Sequence, residues 1–178
     1  GSETLRSSRD ASANPTVIDG DGQPPVVAFT RAGYLVSTLD GFFVQNGGGY
    51  VGPPPNLPGW DGRYGGRGGG IHIRTSGPLI EHNTIRWNSL GSLFTTLLPF
   101  PEGAGIGCFA ANPVIAGNNI VENENIALQS AGGAIYCKES RPWITRNRIE
   151  NNRAVRGAAV FCTGSEAAIQ ANDIIGNT

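Results

Sequence analysis

Apolar residues alternate with polar ones in short runs, and the same pattern returns four times along the chain. The repeated segments align without gaps: IHIRTSGPLIEHNTIRWN from Ile71, IGCFAANPVIAGNNIVEN from Ile106, IYCKESRPWITRNRIENN from Ile135 and VFCTGSEAAIQANDIIGN from Val160. Alternation of this kind places apolar side chains on one side of a β-strand. Units this small cannot bury an apolar face alone, so the repeat predicts coils that stack on one another.

Seven positions of the repeat hold nearly the same residue type in every unit. The columns are Ile71, Ile106, Ile135 and Val160; Ile73, Cys108, Cys137 and Cys162; Pro78, Pro113, Pro142 and Ala167; Ile80, Ile115, Ile144 and Ile169; Asn83, Asn118, Asn147 and Asn172; Ile85, Ile120, Ile149 and Ile174; and Asn88, Asn123, Asn152 and Asn177. We therefore expect ladders of stacked Ile, Cys and Asn, in which the Asn amides hydrogen-bond along the column.

Each unit is predicted to contain three short strands, which in the first unit are residues 71–74, 78–82 and 84–87. Asn tolerates the left-handed backbone region, so the first Asn of each unit is expected to turn the chain sharply between strands. The predicted fold is all-β: a single parallel solenoid of about six coils over residues 16–178. Residues 1–15 form an N-terminal tail, residues 16–70 form divergent coils with Val27 and Phe29 in a first strand, and residues 71–178 form four regular coils.

The motif PxIxxNxIxxN, followed by GGGI or GGAI, resembles the repeats of right-handed parallel β-helix proteins, a superfamily that includes pectate-lyase-like enzymes. The segments TVIDGDG from Thr16 and TLDGFFVQNGGG from Thr38 fit the same pattern. The resemblance implies a right-handed β-helix, and a place outside the cell or on the surface of a bacterium. In the enzymes of this superfamily the active site lies on the face of the first strand.

Side chains that point outward from the first strand of each unit are the best candidates for ligand contact. Aromatic rings stack on sugars, and cations pair with uronate carboxylates. The candidate saccharide patch consists of His72, Arg74, Phe109, Tyr136, Lys138 and Phe161. The alternative is that these residues vary freely and that neighbouring aromatic side chains stabilise the sheet.

Two enlarged turns follow the third strand of consecutive coils. The first spans residues 47–69, is rich in Gly and Pro, and contains the candidate residues Tyr50, Trp60, Asp61, Arg63, Tyr64 and Arg67. The second spans residues 89–104 and is apolar between Leu90 and Phe100. Long loops on a regular scaffold often carry function. The apolar loop is expected to pack on its neighbour or on the helix wall, with a contact to a partner or a ligand lid as alternatives.

The chemistry available to the predicted strand 1 face favours a module without catalytic residues. A lyase would need a base and carboxylates that hold Ca²⁺, and the carboxylates expected near Arg74 and Lys138 are Glu139 and Glu102. We therefore predict a non-catalytic module that binds polysaccharide or serves as a scaffold. One alternative is a lyase or epimerase that acts on uronate polymers. Another is a segment that self-associates through an uncapped C-terminal coil or through the Leu90–Phe100 loop.

Composition and charge limit the classes of partner and cofactor that we expect for this chain. The chain has 178 residues with 27 Gly, 12 Pro and a net charge of −1, which excludes a helical bundle and disfavours nucleic acid. No apolar run is long enough for membrane insertion. No cofactor and no metal site are predicted, since the two His lie on one coil and Asp19-Gly20-Asp21-Gly22 lacks the remaining carboxylates of a Ca²⁺ loop. Ca²⁺ is the one ion left open. The three Cys are predicted to be reduced structural thiols.

Overall fold

A computed structural model describes residues 14–23, 25–30, 37–50, 68–91, 102–126 and 130–178. In these ranges the backbone runs through short strands joined by tight turns, coil after coil. The strands are β1 Thr16–Asp19; β2 Val27–Thr30, β3 Thr38–Asp40, β4 Phe42–Gln45 and β5 Gly48–Tyr50; β6 Ile71–Arg74, β7 Leu79–Glu81, β8 Thr84–Arg86 and β9 Ser89–Gly91; β10 Ile106–Phe109, β11 Val114–Ala116, β12 Asn119–Val121 and β13 Glu124–Asn125; β14 Ile135–Lys138, β15 Trp143–Thr145, β16 Arg148–Glu150 and β17 Arg153–Ala154; and β18 Val160–Thr163, β19 Ala168–Gln170 and β20 Asp173–Ile175.

Within the described residues these strands form four parallel sheets, and each sheet takes one strand from each coil it crosses. Sheet 1 has the order β2-β6-β10-β14-β18, sheet 2 is β3-β7-β11-β15-β19, sheet 3 is β1-β4-β8-β12-β16-β20, and sheet 4 is β5-β9-β13-β17. Stacked parallel strands that turn the chain around one axis make a parallel β-helix, as predicted. The divergent N-terminal coils also join the stack, because β2 pairs with β6 and β1 pairs with β4.

Register follows the columns of the sequence repeat. In sheet 1, Ile106 pairs with Ile71 on one side and with Ile135 on the other. The inward Ile side chains of sheets 1, 2 and 3 form one continuous core, and in the middle coils they are fully buried. Burial of one such side chain contributes about 1.5–3 kcal/mol, so this core is the main source of stability. The last coil exposes Ile169 and Ile174 of the same columns.

The two Asn columns form hydrogen-bonded ladders along the helix. In one ladder the side-chain amide of Asn83 donates to Asn118 Oδ1 at 3.1 Å, and Asn118 donates to Asn147 Oδ1 at 3.0 Å. In the other, Asn88 donates to Asn123 Oδ1 at 2.9 Å. Each amide therefore links neighbouring coils and satisfies polar groups that would otherwise be costly to bury.

The left-handed turn residue is the one before each ladder Asn, which corrects the predicted role of Asn itself. His82 has φ 53° and precedes Asn83, and Trp87 has φ 55° and precedes Asn88. The residue before makes the turn, and the Asn side chain then points into the helix, where it reaches the amides of the coils on either side. The repeated Asn thus supplies side-chain hydrogen bonds, and the residue before it supplies the left-handed backbone.

Each complete coil has a fourth short strand, where the sequence predicted three. β5 and β9 occupy the starts of the two enlarged turns, so these turns begin later than predicted. At the other end of the second turn, Glu102 forms a bridge with Ala131 and is already part of the regular stack. Residues 51–67 and 92–101 lie outside the described residues. In the described parts of the chain no helix has the length and apolarity needed to cross a membrane.

Candidate functional site

The outer face of sheet 1 is the surface that its strands turn away from the Ile core. Strand alternation places two columns there. One contains His72, Gly107, Tyr136 and Phe161, and the other contains Arg74, Phe109, Lys138 and Thr163. These are the positions that the sequence predicted to point outward.

Four aromatic rings form a continuous column along the outer face of sheet 1. Ring centroids are 5.2 Å apart for His72 and Phe109, 5.7 Å for Phe109 and Tyr136, and 5.7 Å for Tyr136 and Phe161. The last two rings are nearly parallel, with an interplanar angle of 7°. Aromatic contacts at these distances contribute about 0.5–1.5 kcal/mol per pair beyond the area they bury. The column therefore ties four successive coils together.

Phe109 belongs to the second of the two outward columns, but its ring fills the gap that Gly107, which has no side chain, leaves in the first. A Cβ atom at Gly107 would lie 2.8 Å from Phe109 Cε2, so the ring of Phe109 occupies the space above the glycine. The ring thereby lies between His72 and Tyr136, in a row that would otherwise have a gap. Phe109 is fully buried as a result.

Most of the candidate residues on the outer face of sheet 1 are buried. The relative exposure is 8% for His72, 9% for Arg74, 0% for Phe109 and 4% for Tyr136. In this buried state these four residues do not offer a flat surface on which a sugar could stack. Lys138 and Phe161 are half-buried and remain partly accessible.

A carboxylate meets the aromatic column at its centre. The Tyr136 hydroxyl donates a hydrogen bond of 2.5 Å to Glu102 Oε1. The other carboxylate oxygen, Oε2, is buried and accepts no hydrogen bond from the described residues. Burial raises the pKa of Glu102, although the bond from Tyr136 and the charges of Lys138 and Arg156 act in the opposite direction. Burial and the carboxylate also raise the pKa of Tyr136, so its hydroxyl stays protonated.

Cations border the accessible end of the outer face of sheet 1. The Arg156 guanidinium carbon lies 5.5 Å from the ring centroid of Phe161, within the range of a cation–π contact. Lys138 lies on β14 beside Phe109, and both Lys138 and Arg156 lie close enough to Glu102 to act on its charge. The edge of the face thus combines an aromatic ring with two positive charges.

Sequence reasoning considered Glu102 but did not consider Arg156. Glu102, Ala131 and Arg156 form one column of bridges just before sheet 1. In each unit this position lies four residues before the first Ile or Val of the strand and is followed by Gly103, Gly132 or Gly157, all with positive φ. That X-Gly signal, at a constant offset from the strand, is visible in the sequence.

The three cysteines lie in one inward column and pair in register. All three are free thiols; Cys108 and Cys137 are buried, while Cys162 in the last coil is exposed. The hydrogen bond with Cys108 is the main cause that raises the pKa of Cys137, and the bond with Cys137 raises the pKa of Cys162. Thiols with raised pKa values are poor nucleophiles, which argues against a reactive role for Cys137 and Cys162. Cys108 and Cys137 pack as part of the core.

The loop candidates largely lie outside the described residues, namely Trp60, Asp61, Arg63, Tyr64 and Arg67. Tyr50 is the last residue of β5. Of the apolar loop, Leu90 is described, and it is fully buried within β9 beside Ala104. The predicted functions of both loops stay predictions.

Sheet topology and register define the class of protein as a parallel β-helix. A model of the right-handed β-helix region matches residues 63–178 of the chain. The chain therefore belongs to the right-handed β-helix family. Comparison with curated proteins finds no match, and comparison with solved structures finds none either.

Proposed function

We propose that this domain is a non-catalytic β-helix module, located outside the cell or on a bacterial surface, that binds acidic polysaccharide. The contact site is the accessible end of the outer face of sheet 1, formed by Lys138, Arg156 and Phe161. One observation carries the proposal: the partly exposed Phe161 ring has the Arg156 guanidinium 5.5 Å from its centroid.

The pairing of ring and cations suits a uronate. A pyranose ring can stack on the face of Phe161, and its carboxylate can accept charge-assisted hydrogen bonds from Arg156 or Lys138. Thr163 follows Phe161 on β18 and is exposed, so its hydroxyl is available to a sugar hydroxyl. The rest of the aromatic column is buried and supports this end as a rigid platform.

The geometry gives less support to catalysis. Tyr136 is buried and its raised pKa keeps it a hydrogen-bond donor, so it does not serve as a base at neutral pH. The second candidate function, a lyase or epimerase, rests on Glu102. Its carboxyl has a raised pKa and an unpartnered buried oxygen, and a carboxylate of this kind can accept the proton next to a uronate carboxyl group.

A binding panel distinguishes these functions. Uronate polymers and neutral polysaccharides are immobilised and tested with the wild-type chain and with Arg156→Ala, Phe161→Ala and Arg153→Ala. Arg153 is the matched control, because it is an exposed Arg three residues away that pairs with Glu124 at 2.9 Å. We expect binding to uronate polymers, weakened about tenfold or more by the first two changes and unchanged by the third.

Product formation is read from the same mixtures. Absorbance from a new unsaturated uronate would establish the lyase and overturn the non-catalytic proposal. Absence of binding to every polymer would overturn the polysaccharide proposal and leave a scaffold role. Self-association through the last coil or the Leu90–Phe100 loop stays a separate prediction, which light scattering over a range of concentrations checks.

A further inference from the structure

Two carboxylates and an imidazole meet at the turn between sheets 2 and 3. Asp40 is the last residue of β3, Glu81 is the last residue of β7, and His82 follows Glu81. Asp40 and Glu81 pair in register on neighbouring coils. One potential ligand atom from each of the three residues lies within 4.8 Å of the other two. The fold thus brings together groups that are up to 42 residues apart in the chain.

One distance within this cluster is close to the distance between two ligand atoms of the same metal ion. His82 Nδ1 lies 3.0 Å from Asp40 Oδ1. Two ligand atoms bound at about 2.0–2.2 Å to the same zinc ion are about 3.0–3.5 Å apart. The third atom, from Glu81, lies within 4.8 Å of the other two, and rotation of its flexible side chain can bring it closer.

The imidazole of His82 packs against the backbone of one neighbouring glycine, Gly117. In the turn column, His82 stands between Gly41 of the preceding coil and Gly117 of the following one, and all three residues have positive φ. A Cβ atom at Gly117 would lie 3.3 Å from His82 Cδ2, so the ring rests directly on that backbone. A larger residue at Gly117 would crowd the ring, whereas a Cβ atom at Gly41 would meet nothing within 4 Å.

Within the cluster, the His82 imidazole is much more exposed to solvent than the Asp40 carboxylate. The Asp40 side chain is 11% exposed, and the His82 side chain is 67% exposed. A cation can therefore approach from the solvent through the imidazole side and reach a carboxylate that the fold has already desolvated.

We propose that Asp40, Glu81 and His82 form a site for a divalent transition metal ion of the zinc class. An imidazole nitrogen selects such ions over Ca²⁺ and Mg²⁺, which prefer oxygen ligands. Three protein ligands leave further coordination positions for water. The ion takes the place of the contact between His82 Nδ1 and Asp40 Oδ1. This site lies on a different turn from the saccharide contact and is independent of the proposed function.

Titration calorimetry with Zn²⁺ and with Ca²⁺ tests the site on the tag-free chain. We expect one saturable Zn²⁺ site and much weaker binding of Ca²⁺. His82→Asn removes the imidazole but keeps a residue that tolerates positive φ, and Asp40→Asn removes one carboxylate. Each change is expected to weaken Zn²⁺ binding by about 100-fold or more. Glu166→Gln, an exposed carboxylate paired with Arg141, and Cys162→Ser, an exposed thiol, are controls expected to keep the wild-type affinity.

Histidine NMR gives an independent readout. The chain has two His, so added Zn²⁺ is expected to shift the ring signals of His82 and leave those of His72 unchanged. Melting temperatures show whether each variant is folded, and His82→Asn decides the question if Asp40→Asn does not fold. Absence of saturable Zn²⁺ binding, or wild-type affinity in His82→Asn, would overturn the proposal.

Discussion

At the scale of single residues, the ladder Asn amides connect the coils most directly. Asn118 Nδ2 donates to the carbonyl oxygens of Ile80 and Ala116 and to Asn147 Oδ1, at 2.8, 3.1 and 3.0 Å. Its Oδ1 accepts hydrogen bonds from the backbone N–H and the side chain of Asn83. One buried amide thus satisfies groups on three coils.

Replacement of this amide is expected to be costly. Asn118→Ala leaves the buried N–H of Asn83 without its acceptor and removes the side-chain bonds to Ile80 and Asn147, so we expect a loss of about 2–5 kcal/mol in the free energy of unfolding. The control is Asn119→Ala at the next residue, whose Oδ1 has no hydrogen-bond partner among the described residues. Urea unfolding of both variants measures the difference. Equal stabilities would show that the ladder does not hold the coils together.

The Glu102 carboxyl is expected to make the stability of the folded protein depend on pH in a defined direction. Its pKa is raised in the folded protein, so between the unfolded and folded pKa values the folded state binds more protons. Its contribution to stability therefore falls as the pH rises through that interval and stays lower above it. Glu102→Gln removes the titration and keeps an oxygen that can accept the Tyr136 bond. The melting temperature of the variant is expected to rise relative to that of the wild type as the pH increases above about 4, the ordinary carboxyl value. Parallel pH profiles would contradict this.

At the scale of elements, the turns are shaped by residues in the left-handed region. The turn after each strand of sheet 1 in the four regular coils places Thr75, Ala110, Glu139 or Gly164 there. The left-handed conformation costs an L-residue about 1–2 kcal/mol, and Gly avoids that cost. One of the four coils already uses Gly at this position.

Ala110→Gly is therefore expected to stabilise the protein by about 0.5–1 kcal/mol, despite the greater flexibility of Gly in the unfolded chain. Ala116→Gly in β11 is the matched control, since Ala116 is also half-buried and belongs to the same coil. There Gly is expected to destabilise by about 0.5–1 kcal/mol. Denaturant midpoints measure both effects, and a loss of stability in both variants would contradict the assigned turn geometry.

At the scale of the whole molecule, the repeat predicted three of the four sheets because each column repeats one side chain in one geometry. Sheet 4 was missed because β9, β13 and β17 share no residue type. The alternation of apolar and polar residues indicates which side chains point away from the core. It does not show that the ring of Phe109 lies over Gly107 or that the aromatic rings contact one another. The Asp40 carboxylate lies in a divergent coil outside the columns, so its meeting with His82 depends on coil stacking that the sequence did not align.

The central functional claim is that the accessible end of the outer face of sheet 1 binds an acidic polysaccharide. Amide NMR of the 178-residue chain, titrated with a uronate oligosaccharide, tests it most directly. The account predicts saturable shifts that cluster at Lys138, Arg156 and Phe161 and leave the turn at His82 unchanged. An absence of shifts at saturating oligosaccharide, or shifts confined to another face, would contradict it.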